Sequence, residues 1–149
     1  MAEYVSTQSP QLVAAGQNVL LADSIPCNKG YVVHRNGSGI LTLRGKTTNC
    51  FARYQVTFNA NIAVPTGGTV GPIAVALAVD GEPLQSSRAI ITPAAADEYG
   101  NVTSTAIVTV PKGCCYTVAV ENVAAGVDTA VDPQAINVAD GNLTVARIA

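Results

Sequence analysis

The sequence predicts an all-β, two-sheet sandwich of about ten strands, and three observations carry that prediction. The stretch Phe51–Val64, FARYQVTFNANIAV, alternates with a period of two. Ala52, Tyr54, Val56, Phe58, Ala60, Ile62 and Val64 fall on one side, and Arg53, Gln55, Thr57, Asn59 and Asn61 on the other. Successive side chains of a strand point to opposite faces, whereas a helix would scatter this apolar set around its circumference. Turn signals recur at intervals of roughly ten residues, the spacing of short strands in a sandwich or barrel. The composition agrees: of 149 residues, 48% are hydrophobic and only 12% charged, about half the usual charged share. One domain of that length can bury a proper core, and so little charge implies that part of the surface is covered, as a homo-oligomer would cover it.

Residues 1–16 read as an extended N-terminal arm punctuated by Pro10 and Gly16, with the sandwich domain spanning 17–149. Gln17–Asp23 is a first strand. Tyr31–Arg35 and Ile40–Arg44 form a pair around Asn36-Gly37-Ser38-Gly39, where Asn-Gly favours positive φ. After the polar loop Gly45–Asn49 comes the long strand, ended by Pro65. Pro72–Val79 sets Ile73, Val75, Leu77 and Val79 against Ala74, Ala76 and Ala78, so both of its faces should be covered. Asp80-Gly81 signals a hairpin into Leu84–Thr92. Asn101–Val110 is rich in Thr and Val, which suits a pleated surface. Pro111-Lys112-Gly113 turns it into Cys114–Asn122, with Tyr116, Val118 and Val120 on one face. Ala135–Ala139 and Leu143–Ile148 are expected as a last pair around Asp140-Gly141-Asn142. Local hairpins joined by longer connections around 93–100 and 123–134 give a jelly roll.

The same residues argue against chemistry. Net charge is −2 with Lys and Arg dispersed, so the basic surface that nucleic acid requires is absent from the pattern. The N-terminal residues lack a basic segment followed by an apolar one, and no apolar run approaches the ~20 residues of a membrane span. The expectation is a product made in the cytoplasm, with no membrane partner. The one histidine, His34, sits mid-strand and cannot supply a multi-histidine metal set. No Gly-x-Ser-x-Gly elbow, phosphate-binding Gly-Lys-Ser/Thr loop or EF-hand spacing occurs. The aspartates fall mostly in turns. No catalytic, cofactor-binding or metal residue is therefore assigned, no cofactor is expected, and an enzyme is not the reading.

The four cysteines, Cys27, Cys50, Cys114 and Cys115, contain no Cys-x-x-Cys pair. If Asn101–Val110 runs antiparallel beside the long strand, and Cys114–Asn122 beside Ile40–Arg44, all four gather at one end of the sandwich. Disulfides, free buried thiols and a metal site all remain open for that cluster.

The runs QNVLLADSIPCNKGYVVHRNGSGILTLRG, CFARYQVTFNANIAVPTGG, IAVALAVDGEPL and VPKGCCYTVAVEN resemble small proteins of gut Firmicutes and their prophages. Those look like the tumour-necrosis-factor-like jelly roll, which also caps bacterial collagen-like spore-surface proteins. The resemblance implies a ten-stranded jelly roll assembled as a compact homotrimer. It also implies that the long strand and Asn101–Val110 lie in the sheet facing neighbouring subunits, so that Arg53, Gln55, Thr57, Asn59 and Asn61 would line the trimer interface. No Gly-X-Y stalk precedes the domain in this sequence. That departure raises a free-standing knob on a virion, a capsid decoration or head fibre contacting the major capsid protein, above a spore-surface tip. The other reading is a secreted or surface-displayed trimeric adhesin for glycan or protein, which the scarcity of aromatic residues (5%) disfavours.

Overall fold

The computed structural model describes residues 2–7, 10–25, 30–123 and 134–149. Two antiparallel sheets form a sandwich. In one sheet the order is β10(Gly100–Pro111), β6(Phe51–Ala63), β12(Ile136–Arg147), β1(Ala2–Thr7), β3(Leu21–Ile25), with β2(Gln11–Val13) also paired to β12. In the other it is β4(Val32–His34), β5(Leu41–Arg44), β11(Cys115–Val123), β7(Ile73–Val79), β8(Glu82–Pro83), with β9(Ala89–Ile91) also on β7. These are called the β6 sheet and the β11 sheet below.

The long strand behaves as its alternation requires. Ala52, Tyr54, Val56, Phe58, Ala60 and Ile62 are all fully buried, and the core forms between them and the inward residues of the β11 sheet, among them Leu41, Leu43, Val75, Leu77, Val118 and Val120. Tyr54 carries a polar tip into this core and satisfies it: its hydroxyl donates to the Arg44 carbonyl at 2.5 Å. β7 is buried on both faces, large side chains inward and Ala74, Ala76 and Ala78 outward. At Asp80-Gly81 both residues take positive φ (51° and 85°), and Val79 pairs with Glu82 across them, the tight hairpin that this dipeptide favours.

Several elements differ from the sequence reading. The N-terminal residues are extended but not set apart as an arm: β1 is inserted between β12 and β3, and β2 extends the pairing of β12. Unpaired strand edges on both neighbours supply the hydrogen bonds that hold it. Gln17–Asp23 is not one strand. The backbone of Gly16–Val19 bonds β11, with Gly16 N–H and Val19 N–H donating to the Asn122 and Val120 carbonyls at 3.0 and 2.8 Å; the chain then crosses to the β6 sheet as β3. Leu84–Thr92 is interrupted by a 3-10 turn, Gln85–Ser87. Ser87 causes the break: its Oγ donates to the Leu84 carbonyl at 2.7 Å and accepts from Leu77 N–H at 3.0 Å, replacing ladder bonds.

The expected final hairpin is absent. Asp140-Gly141 forms a bulge inside one continuous strand, β12. Ala139 pairs with Asn61 and Asn142 with Asn59, so β12 holds one residue more than β6 over this step. Asp140 absorbs it at φ 53°. With β6 on one side and β1 on the other, both edges of β12 are engaged and the chain has no room to reverse.

Candidate functional site

Two surfaces stand out. One is the outer face of β6 and β10. Register places Arg53 opposite Thr109, Gln55 opposite Ile107, Thr57 opposite Thr105, Asn59 opposite Thr103 and Asn61 opposite Asn101. Six of these side chains, Thr57, Asn59, Asn61, Asn101, Thr103 and Thr105, bond one another along the strands. Thr105 Oγ1 donates to the Val56 carbonyl at 3.1 Å, which leaves it to accept from Thr57 Oγ1 at 3.1 Å. Asn59 Oδ1 accepts from Asn101 Nδ2 at 3.0 Å and from Thr103 Oγ1 at 3.1 Å. Asn101 Nδ2 also reaches Asn61 Oδ1 at 3.2 Å. At the end of the ladder the Arg53 guanidinium lies 4.8 Å from the centre of the Phe51 ring. The five residues expected at an interface thus lie on one continuous face, Arg53 and Gln55 exposed and the other three partly covered. Ile107, amid this polar set, is 62% exposed. Sequence reasoning did not single it out, although its place between Ala106 and Val108 in a Thr-alternating strand puts an isoleucine where only Thr and Asn otherwise sit.

The other surface is at the end of the sandwich where β6 begins. Gly45 and the turn after β10 lock together there: Gly45 N–H donates to the Cys114 carbonyl at 2.8 Å and Gly113 N–H to the Gly45 carbonyl at 3.0 Å. A Cβ on Gly45 would sit 2.0 Å from the Pro111 oxygen, so only glycine allows this approach. The loop after Gly45 then runs beside Tyr31. A cavity of about 460 Å³ opens between Tyr31, Lys46, Thr47, Thr48, Asn49 and Arg147. The Arg147 guanidinium lies 4.3 Å and the Lys46 ammonium 5.8 Å from the centre of the Tyr31 ring. Arg147 is held in place by donating Nη1 to the Lys46 carbonyl at 2.7 Å and Nε to the Ala149 oxygen at 3.2 Å. No sequence motif marks this pocket. The available signal was charge order: no Asp or Glu occurs between Asp23 and Asp80.

Cys50, Cys114 and Cys115 come to the same end. Lys112 N–H donates to the Cys50 carbonyl at 2.9 Å, and Cys115 pairs with Arg44. Cys50, Cys114 and Cys115 are free and exposed rather than buried, because they sit in and beside surface turns. Cys27 lies outside the described residues. Among the described residues no group of His, Cys, Asp and Glu is placed to hold a metal. His34 Nε2–H donates to the Ser38 carbonyl at 3.0 Å within its own hairpin loop, and Nδ1 is buried with no partner among the described residues. The histidine therefore closes a loop and faces no catalytic neighbour in that contact.

Two antiparallel sheets in this strand order define a tumour-necrosis-factor-like jelly roll. The chain is similar in fold to murine APRIL, with a TM-score of 0.65 at 10% identity over 99% of this chain and 100% of that one. It is also similar to the Eiger TNF of S. frugiperda, with a TM-score of 0.64 at 11% identity over 100% of this chain and 92% of that one. No protein-family model and no curated protein matches the sequence.

Proposed function

We propose that the protein is a non-enzymatic homotrimeric knob whose subunits meet through the outer face of β6 and β10, and that it serves as a structural decoration or head fibre of a phage particle. One observation carries the assembly: six polar side chains of that face, Thr57, Asn59, Asn61, Asn101, Thr103 and Thr105, already bond one another. An unpaired amide or hydroxyl is costly to take out of water, whereas the Thr57–Thr105 and Asn59–Asn101–Thr103 groups carry their partners with them. The face holds no acid and, at its rim, one Arg, so no buried charge opposes its closure. Ile107 supplies apolar area in the middle. Light scattering tests this directly: a trimer is expected, and a monodisperse monomer at micromolar concentration defeats it.

The virion role draws on the resemblance in sequence and on the low surface charge. Its test is a reconstruction of purified particles from the producing host, in which absence of density for this protein excludes it. The cationic pocket favours a second reading, a trimeric surface module that binds a ligand. A glycan array without hits, in calcium and in its absence, counts against that one.

A further inference from the structure

We infer that the pocket beneath the loop Gly45–Asn49 binds a carboxylate-bearing monosaccharide, of the hexuronate or nonulosonate type. Whether the subunits form a trimer does not enter this inference. The pocket's volume, about 460 Å³, falls in the range of ~300–1,000 Å³ usual for small-ligand sites and exceeds what an inorganic oxyanion needs. Among its described lining residues the two charged ones, Lys46 and Arg147, are both cationic. The rest of the lining is Thr47, Thr48, Asn49 and the Tyr31 ring, hydroxyl and amide groups suited to a polyhydroxylated ring rather than to an apolar ligand.

Arg147 is fixed before any ligand arrives. Stacking on Tyr31 and bonds to the Lys46 and Ala149 oxygens set the plane of the guanidinium, so little side-chain freedom remains to be lost on binding. A planar guanidinium matches a carboxylate in two parallel bonds, while Lys46 adds a point charge from the loop side. The loop itself is braced: Asn49 N–H donates to Thr47 Oγ1 at 3.1 Å, and Gly45 is clamped to the turn after β10. A phosphate cofactor is less well served, since the pocket has no glycine-rich loop running into a helix.

Calorimetric or saturation-transfer titration with glucuronate, N-acetylneuraminate, glucose and sulfate tests the inference. The acidic sugars are expected to bind with Kd on the order of 1 mM, and glucose at least about tenfold more weakly, because it offers no charge to Arg147. Sulfate at equal concentration should leave the sugar bound. Lys46 is exposed, so Lys46→Gln should keep the thermal midpoint while weakening binding about tenfold. Arg147→Lys should weaken it similarly by losing the two-point contact. Absence of acidic-sugar binding overturns the inference. So does equal binding of glucose, or affinity unchanged in Lys46→Gln. Sulfate competing as well as the sugars reduces the pocket to a plain anion site and overturns the sugar assignment.

Discussion

Replacing Ile107 by threonine separates assembly from folding. Ile107 sits opposite Gln55 on β10 and is 62% exposed, so the subunit gains little from its side chain. Threonine keeps the β-branched shape that the strand favours, and the expected change in subunit stability is under about 0.5 kcal/mol. In a three-fold assembly the same side chain is covered. Full burial of an isoleucine is worth ~1.5–3 kcal/mol, so covering the exposed part contributes about 1–2 kcal/mol per subunit and about 3–6 kcal/mol per trimer. At 1.4 kcal/mol per factor of ten, the trimer dissociation constant should rise by about 10²–10⁴. Because that constant scales with the square of subunit concentration, the midpoint of dissociation should move roughly 10–100-fold upward. Sedimentation velocity over a wide concentration range reads the midpoint, and urea unfolding of the dissociated subunit reads the fold. An unchanged midpoint refutes the placement of Ile107 in the interface. A large loss of subunit stability refutes the premise that the exposed side chain does not support the fold.

Val56→Asp and Thr57→Asp change neighbours on opposite faces of β6. The first buries an unpaired carboxylate at a fully buried site and should cost about 4–5 kcal/mol or more of subunit stability; the second should leave the subunit folded by circular dichroism and shift it to monomer by light scattering. Asn122 is 1% exposed, and its Nδ2 donates to the Val13 and Gln134 carbonyls at 3.2 and 2.6 Å, tying β11 to β2. Asn122→Ala strands both acceptors and should cost about 2–3 kcal/mol in urea unfolding. Burial, and secondarily the Glu82 carboxylate, push the Glu121 carboxyl above its ordinary value. Between that value and the raised one the folded state binds more protons than the unfolded state. Stability should therefore fall as pH rises through this window and stay lowered above it. Glu121→Gln should flatten that slope in unfolding curves taken from acidic to neutral pH, and should be the more stable protein at neutral pH.

How much of this could be read from the chain depended on whether the cause was local. The period of two in Phe51–Val64 follows from one buried face, and every apolar residue it marked from Ala52 to Ile62 is fully buried. The hairpin at Asp80-Gly81 follows from two residues that tolerate positive φ. Asp140-Gly141 carries nearly the same signal and makes a bulge, because strands on both sides of β12 forbid a reversal. That difference is tertiary and leaves no local mark. Likewise Tyr31, Lys46 and Arg147 are far apart in sequence and meet only because β12 returns antiparallel to β6, bringing its end beside the loop that precedes β6.

The polar side of β6 shows why pattern alone could not decide between water and a subunit. Alternation reports only that one face is apolar; it is silent on what the polar face meets. Pairing with β10 adds an observation that supports the covered face proposed above: it sets Thr against Thr and Asn against Asn at bonding distance. A face meant for water has no need to satisfy its own donors, since water does so at no cost in side-chain freedom. Fixing these side chains against one another forfeits rotamer entropy in the free subunit. Cross-strand bonds of this kind return roughly 0.2–1 kcal/mol each in an open sheet, and they are worth more once the groups are dehydrated, when unpaired ones would carry a larger penalty. The ladder is thus better accounted for by a covered face than by an open one. The exposed Ile107 in its midst agrees with that reading.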